Sequence, residues 1–172
     1  MEIKGYALRN LRDYLRENCD RATAERLIAI LPEDIKPGSW YPMSAYFQIL
    51  EEIERLSKRE RGLVSREIGR FKAVHAAHGP YRLFFIFASP RFIIKRAGAF
   101  WGFYHNWGKI IVDEHRDRGV DFRIEHEETI PELYLHTVAG WVEKSLELAG
   151  ARNPRVEFLQ REGRVEFSAS WE

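Results

Sequence analysis

Three aromatic side chains near position 100 have the spacing of a binding site. Trp101, Tyr104, His105 and Gly108 fall at i, i+3, i+4 and i+7, so on a helix they share one face. Aromatic walls with a few convergent polar tips suit a small apolar guest. The plainer alternative is a core face whose polar tips find partners. The same run, FFIFASPRFIIKRAGAFWGFYHNWG over residues 84–108, adds Phe84 and Phe87 to the wall. Phe84, Phe85, Phe87 and Phe92 all read as core as well, and some of them can face the same space. Trp141 on a later helix is the sixth candidate, and Gly140 beside it would allow close backbone approach. The candidate ligand-binding residues are therefore Trp101, Tyr104, His105, Phe84, Phe87 and Trp141.

Other chemistry is thinly supported. His75 and His78 are three apart on a helix and could offer two nitrogens to one metal, but no third ligand has a fixed spacing. His115 and His126 lie on two arms of a hairpin, with Asp113, Glu114 and Glu125 near in sequence. The default for both groups is solvated surface, so no metal site is assigned. Cys19 is the one cysteine; it reads as a small apolar residue and rules out an internal disulfide or a cysteine zinc cluster. There is no Gly-x-Ser-x-Gly, His-Glu-x-x-His or P-loop. The adjacent carboxylates Glu51-Glu52 and Glu127-Glu128 diverge on a helix or a strand. No enzyme and no cofactor is expected.

The elements that must position the aromatic wall follow from periodicity. Leu8, Leu11 and Leu15 mark a helix over 3–17, and Asp20 can cap a second one carrying Ala24, Leu27, Ile28 and Leu31. Pro42 suits the first position of a third helix with Tyr46, Ile49, Leu50, Ile53 and Leu56 on one face. A fourth helix puts Val64, Ile68, Phe71 and Val74 inward and stops at Gly79-Pro80. The aromatic run reads as a short helix over 81–88, a break at Ser89-Pro90, and one helix over 90–104. Then the period changes. Residues 110–112 and 120–126 form a hairpin, Pro131 opens a helix to about 149, and residues 156–161 and 165–171 form a second hairpin.

The expected fold is α+β: N-terminal helices packed on a four-stranded antiparallel sheet made of two hairpins separated by a helix. The 172 residues form a single domain, 1–172, with a helical part at about 3–105 and a sheet plus one helix at about 108–171. The net charge of +1 gives no field for a polyanion, and the alternating apolar faces are committed to the helices, so no nucleic-acid partner is expected. No apolar run reaches the roughly 18 residues of a membrane span. MEIKGYALRN lacks a signal-peptide core. The reading is a cytoplasmic protein.

The opening IKGYALRNLRDYL, the segment WYPMSAYFQILEEI, the phrase SPRFIIKRAGAFWGFYHNWG and the late AGWVEKSLELAG together resemble a myxobacterial-type paralogous family of unknown function. That family is similar to a wider group: vinyl-reductase-type small-molecule-binding domains, TRAPP vesicle-tethering subunits and haem nitric-oxide sensor domains. The resemblance implies helices on a four-stranded antiparallel sheet, often around an apolar cavity, in sensors, carriers or scaffolds that can dimerise through helices. Two departures stand out. The cysteine-rich zinc site of many vinyl-reductase-type domains cannot form here, and the Tyr-x-Ser-x-Arg of the haem sensors is absent.

The leading expectation is a non-catalytic sensor or scaffold domain that holds a small apolar or acyl-like ligand between helices and sheet. The alternative is a ligand-free protein-interaction scaffold, a homodimer or a subunit joined through the two N-terminal helices. A third reading is a haem gas sensor with His105 or His136 as iron ligand.

Overall fold

A computed structural model describes residues 1–79, 82 and 89–172, with the side chains of 114–116 outside the description. The short helix expected over 81–88, with Phe84, Phe85 and Phe87, therefore lies outside the described residues apart from Arg82.

The chain opens with a short strand, β1 (Glu2–Lys4), followed by α1 (Gly5–Asn18) and α2 (Arg21–Ile28). Asp20 caps α2 as expected, its carboxylate accepting from the Thr23 N–H at 3.0 Å. Next is β2 (Trp40–Pro42), which pairs antiparallel with β1. Pro42 is thus a strand residue, not the first residue of a helix, and α3 runs Ser44–Ser57. Periodicity did not reveal this two-stranded sheet because three residues per strand are too few to display it.

Helix α4 spans Leu63–His78. Its buried stripe is Val64, Ser65, Ile68, Gly69, Lys72, Ala73 and Ala76, rotated from the stripe expected. Phe71 and Val74 are half-buried, and Phe71 meets the Tyr14 ring edge-on at 5.4 Å. Glycine sets the rotation. A Cβ on Gly69 would lie 2.0 Å from the Thr137 carbonyl oxygen, and one on Gly140 would lie 2.0 Å from that of Arg66. The two helices can therefore cross only with these glycine faces together. The expected freedom at Gly140 is present, and its neighbour is α4 rather than the sheet.

Beyond the break, Ser89 accepts from the Phe92 N–H and Pro90 sits in the first turn of α5 (Pro90–Lys95). The single helix expected over 90–104 is two: α6 (Ala97–Tyr104) restarts after Arg96. Ile93, Ile94, Phe100, Trp101 and Tyr104 keep helical phase across the break, so their pattern could not show it.

The second half matches the expected architecture. Strands β3 (Lys109–Arg116), β4 (Gly119–Glu125), β5 (Arg155–Arg161) and β6 (Arg164–Ser170) form one antiparallel sheet in the order β3-β4-β6-β5. Helix α7 (Glu132–Leu148) separates the hairpins. Val120, Phe122 and Ile124 on β4 and Val165, Phe167 and Ala169 on β6 are buried. Phe122 and Phe167 are cross-strand partners with rings stacked at 4.9 Å. Such pairs stabilise a sheet by roughly 0.2–1 kcal/mol each. The core lies between this sheet face and the helices. Among the described residues no helix is long and apolar enough to cross a membrane.

Candidate functional site

The cavity at the helix–sheet junction measures about 80 Å³. Ile94 of α5, Phe100, Trp101 and Tyr104 of α6, Phe122 of β4 and Trp141 of α7 supply its apolar wall. The polar side chains on the lining are Lys72 of α4, His105, and Tyr134 and Thr137 of α7, together with the hydroxyl of Tyr104. Four of the six residues expected from the sequence, Trp101, Tyr104, His105 and Trp141, thus line one space. Phe84 and Phe87 lie outside the described residues.

His105 does not reach the cavity as the next residue of a helix. α6 ends at Tyr104, and His105 is extended, with φ −131° and ψ 142°. Its backbone makes an isolated antiparallel bridge to Ile3 of β1. Gly108, expected on the same helical face, instead has φ +67°. Its left-handed turn swings the chain into β3, and the Trp107 carbonyl accepts from Trp101 Nε1 at 2.7 Å. The shared-face argument therefore does not hold beyond Tyr104. Packing assembles the cluster instead: the Trp101 and His105 rings stack with centroids 3.7 Å apart.

Both His105 nitrogens are engaged. Nδ1–H donates to the Trp101 carbonyl at 3.1 Å, which makes Nε2 the acceptor for the Tyr134 hydroxyl. The residue is 8% exposed. Burial, then the charge of Lys72, lowers its pKa to about 3, against a smaller opposing effect of the Trp101 carbonyl. His105 is a neutral imidazole in one tautomer across ordinary pH. Burial, the nearby Tyr46 and the nearby Tyr104 raise the Tyr134 phenol well above its usual value.

Lys72 was not foreseen. It is 5% exposed; its Nζ donates to the Tyr46 hydroxyl at 3.1 Å and lies 4.8 Å from the Tyr46 ring centroid and 6.0 Å from that of Tyr134. No ion pair holds it among the described residues. Burial alone lowers its pKa to about 7. A signal was present in the sequence: Lys72 follows Ile68 by four and precedes Ala76 by four, so it interrupts an apolar stripe.

The remaining candidates separate. His75 lies tilted against Phe71 with ring centroids 4.2 Å apart, and His78 Nδ1 contacts the Val74 carbonyl. The β3–β4 register puts position 115 opposite Val120, beside the turn, whereas His126 follows Glu125 at the far end of its strand. The two histidine positions do not converge. Among the described residues no cluster of three potential ligands forms. His136 packs against Gly62 and meets the Phe158 ring at 4.9 Å, outside the cavity lining. Cys19 is half-buried, and burial pushes its thiol pKa up, so it has no tendency to act as a thiolate.

No family model and no curated protein matches the chain. Solved structures do. An H-NOX protein from S. oneidensis in the Fe(II) ligation state superposes with TM-score 0.79 at 13% identity, over 98% of this chain and 96% of that one. Unliganded Fe(II) H-NOX from K. algicida gives 0.73 at 12%, over 98% and 96%. An oxygen-binding H-NOX domain related to soluble guanylate cyclases, in its oxygen complex, gives 0.71 at 13%, over 98% and 95%. The chain has the fold of the haem nitric-oxide sensors from end to end.

Among the described residues the lining does not fit a haem. A porphyrin needs a pocket on the order of several hundred Å3, whereas Phe100, Trp101, Phe122 and Trp141 leave about 80 Å3 at the junction. The His105 lone pair that would meet iron accepts the Tyr134 hydroxyl instead. His136 stands outside the lining, so it does not substitute.

Proposed function

We propose that this chain is a non-catalytic sensor domain of the H-NOX fold that has exchanged the porphyrin for a small, partly open apolar site. The observation that carries the reading is the cavity itself, walled by aromatics and edged by Lys72, His105 and Tyr134. Its size restricts the guest. At about 80 Å3 the cavity suits a small compact molecule, and a long acyl chain is too large. Apolar burial at about 25 cal/mol per Å2, less the cost of ordering, supplies a modest affinity.

A sensor also needs an output. His105 is the junction in this proposal: its ring touches Trp101 and Tyr134 at the cavity, and its backbone bridges β1. A guest that favours one setting of Trp101 would bias β1 and α1, and it does so only through unequal affinity for the two settings. The apolar faces of α1 and α2 are committed to the core through Leu8, Leu11, Leu15, Ala24 and Leu27. A homodimer or hetero-partner contact there would rest on outward charges such as Arg9, Arg16, Arg21 and Arg26. A cytoplasmic setting and kinship with the paralogous family of unknown function belong to the same reading.

The test is methyl and indole NMR during titration with short apolar guests such as propane. Saturable shifts confined to residues around Trp101 and Trp141, and lost when Val142, which also lines the cavity, is enlarged in Val142→Phe, support the proposal. A filled core that gives no saturable shift supports the ligand-free scaffold.

A further inference from the structure

We infer that the cavity's guest is a short aliphatic carbonyl compound, held reversibly as an imine on Lys72. The inference rests on the cavity-binding reading above and specifies its chemistry. A buried lysine ordinarily needs a carboxylate, because an unpaired interior charge costs several kcal/mol. Here the side chains facing Nζ are Tyr46 of α3, Tyr134 of α7 and His105 after α6, all neutral at ordinary pH. Among the described residues only Tyr46 is within hydrogen-bond reach. The structure therefore favours the free amine, and a desolvated free amine is the nucleophilic form of lysine.

The guest's charge follows from the same surroundings. A small carboxylate would also meet Lys72, but it must leave water for an aromatic wall, and that desolvation opposes binding. An aldehyde enters uncharged and its imine is uncharged. The amine nitrogen bonds to the carbonyl carbon, giving a carbinolamine. The C–O bond then breaks, the two nitrogen protons leave with the oxygen as one water, and C=N remains. No electrons are transferred to or from any other reactant. The Tyr46 hydroxyl, 3.1 Å from Nζ, is placed to pass a proton to the departing hydroxyl. Hydrolysis reverses each step, so occupancy follows guest concentration without turnover. Trp101 and Phe122, on the same lining, take the alkyl end.

All seven lysines of the chain lie among the described residues, and Lys72 is the buried one. This makes the experiment selective. The full chain is treated near pH 7.5 with a small excess of propanal and cyanoborohydride, which reduces imines to stable amines, and is then mapped by peptide mass spectrometry. The expected result is propylation at Lys72 at least about tenfold faster than at any other lysine, since exposed lysines are nearly all protonated there. Benzaldehyde, too large for the cavity, should show no such preference. Lys72→Met should remain folded and lose the fast site. Labelling of the surface lysines with Lys72 spared would overturn the inference. Propane NMR on the same sample separates the two failures: shifts without Lys72 labelling refute the carbonyl chemistry alone, whereas no shifts and no labelling refute the cavity reading as well.

Discussion

Replacing Lys72 by methionine should stabilise the protein, and the gain should shrink as pH rises. In the folded chain burial lowers the Lys72 pKa to about 7, whereas an unfolded lysine titrates near 10.4. Between those values the unfolded state binds more protons than the folded one, so stability increases with pH. Below the folded pKa the full penalty applies, and above the unfolded pKa it is gone. Integrated between pH 7 and pH 9, the wild-type chain should gain about 2 kcal/mol that Lys72→Met cannot gain. The methionine fills similar volume and needs no partner, and replacing buried charge by a packed apolar side chain is often neutral or stabilising. Tyr46 loses one hydrogen bond, a cost of about 1 kcal/mol that does not vary over this range. The assay is urea unfolding of both proteins at pH 7, 8 and 9, read as the difference in stability at each pH. Comparing the pair cancels the other titrating groups. A constant difference would mean that Lys72 keeps an ordinary pKa and is solvated, and the argument from its burial would fall.

Trp101→Ala should cost about 3–5 kcal/mol of stability, as large cavity-forming substitutions do, and should lower guest occupancy more than folding yield; equal losses would make Trp101 packing alone. Gly69→Ala and Gly140→Ala each drive a Cβ to 2.0 Å from a backbone oxygen of the facing helix, so each should lower Tm by several degrees or abolish folding, as circular dichroism will show. His105 should give the neutral Nδ1–H pattern by 15N NMR down to about pH 4. Because its folded pKa is depressed to about 3, stability should fall as pH drops below about 6.5, and Tyr134→Phe should weaken the single-tautomer signature. Incubation with haemin should produce no stoichiometric Soret band, since the His105 acceptor is engaged by Tyr134.

Much of the fold was legible because its long elements carry their period openly. The alternation of Val120, Phe122 and Ile124 and the cap at Asp20 describe local physics that the tertiary structure preserves, whereas of the stripe read on the late helix, Leu135, Val138, Val142 and Leu146, the first and last are buried and the middle two half-buried. What escaped was decided elsewhere. Phase continues from Ile93 to Tyr104, so the restart at Arg96 left no mark in the pattern. The turn of α4 is dictated by where Gly69 meets Thr137, a contact between residues 68 apart in sequence. Of the cavity lining, Trp101, Tyr104, His105 and Trp141 could be named from the sequence because aromatic rings near a polar tip are conspicuous. Lys72 was missed because a lysine in a helix is ordinarily solvated, and only its place between Ile68 and Ala76 said otherwise. Tyr134 was missed because nothing local points a tyrosine at a histidine 29 residues earlier.

Xenon offers the most direct test, since it is small, apolar and indifferent to hydrogen bonding. An engineered apolar cavity of roughly 150 Å3 in another protein takes benzene or xenon, and the smaller space here should still admit one atom. A crystal pressurised with xenon should show a single site among Ile94, Trp101, Phe122 and Trp141, with His105 still bonded to Tyr134. A crystal with side chains closed over that point and no xenon, or with a porphyrin in its place, would contradict the account.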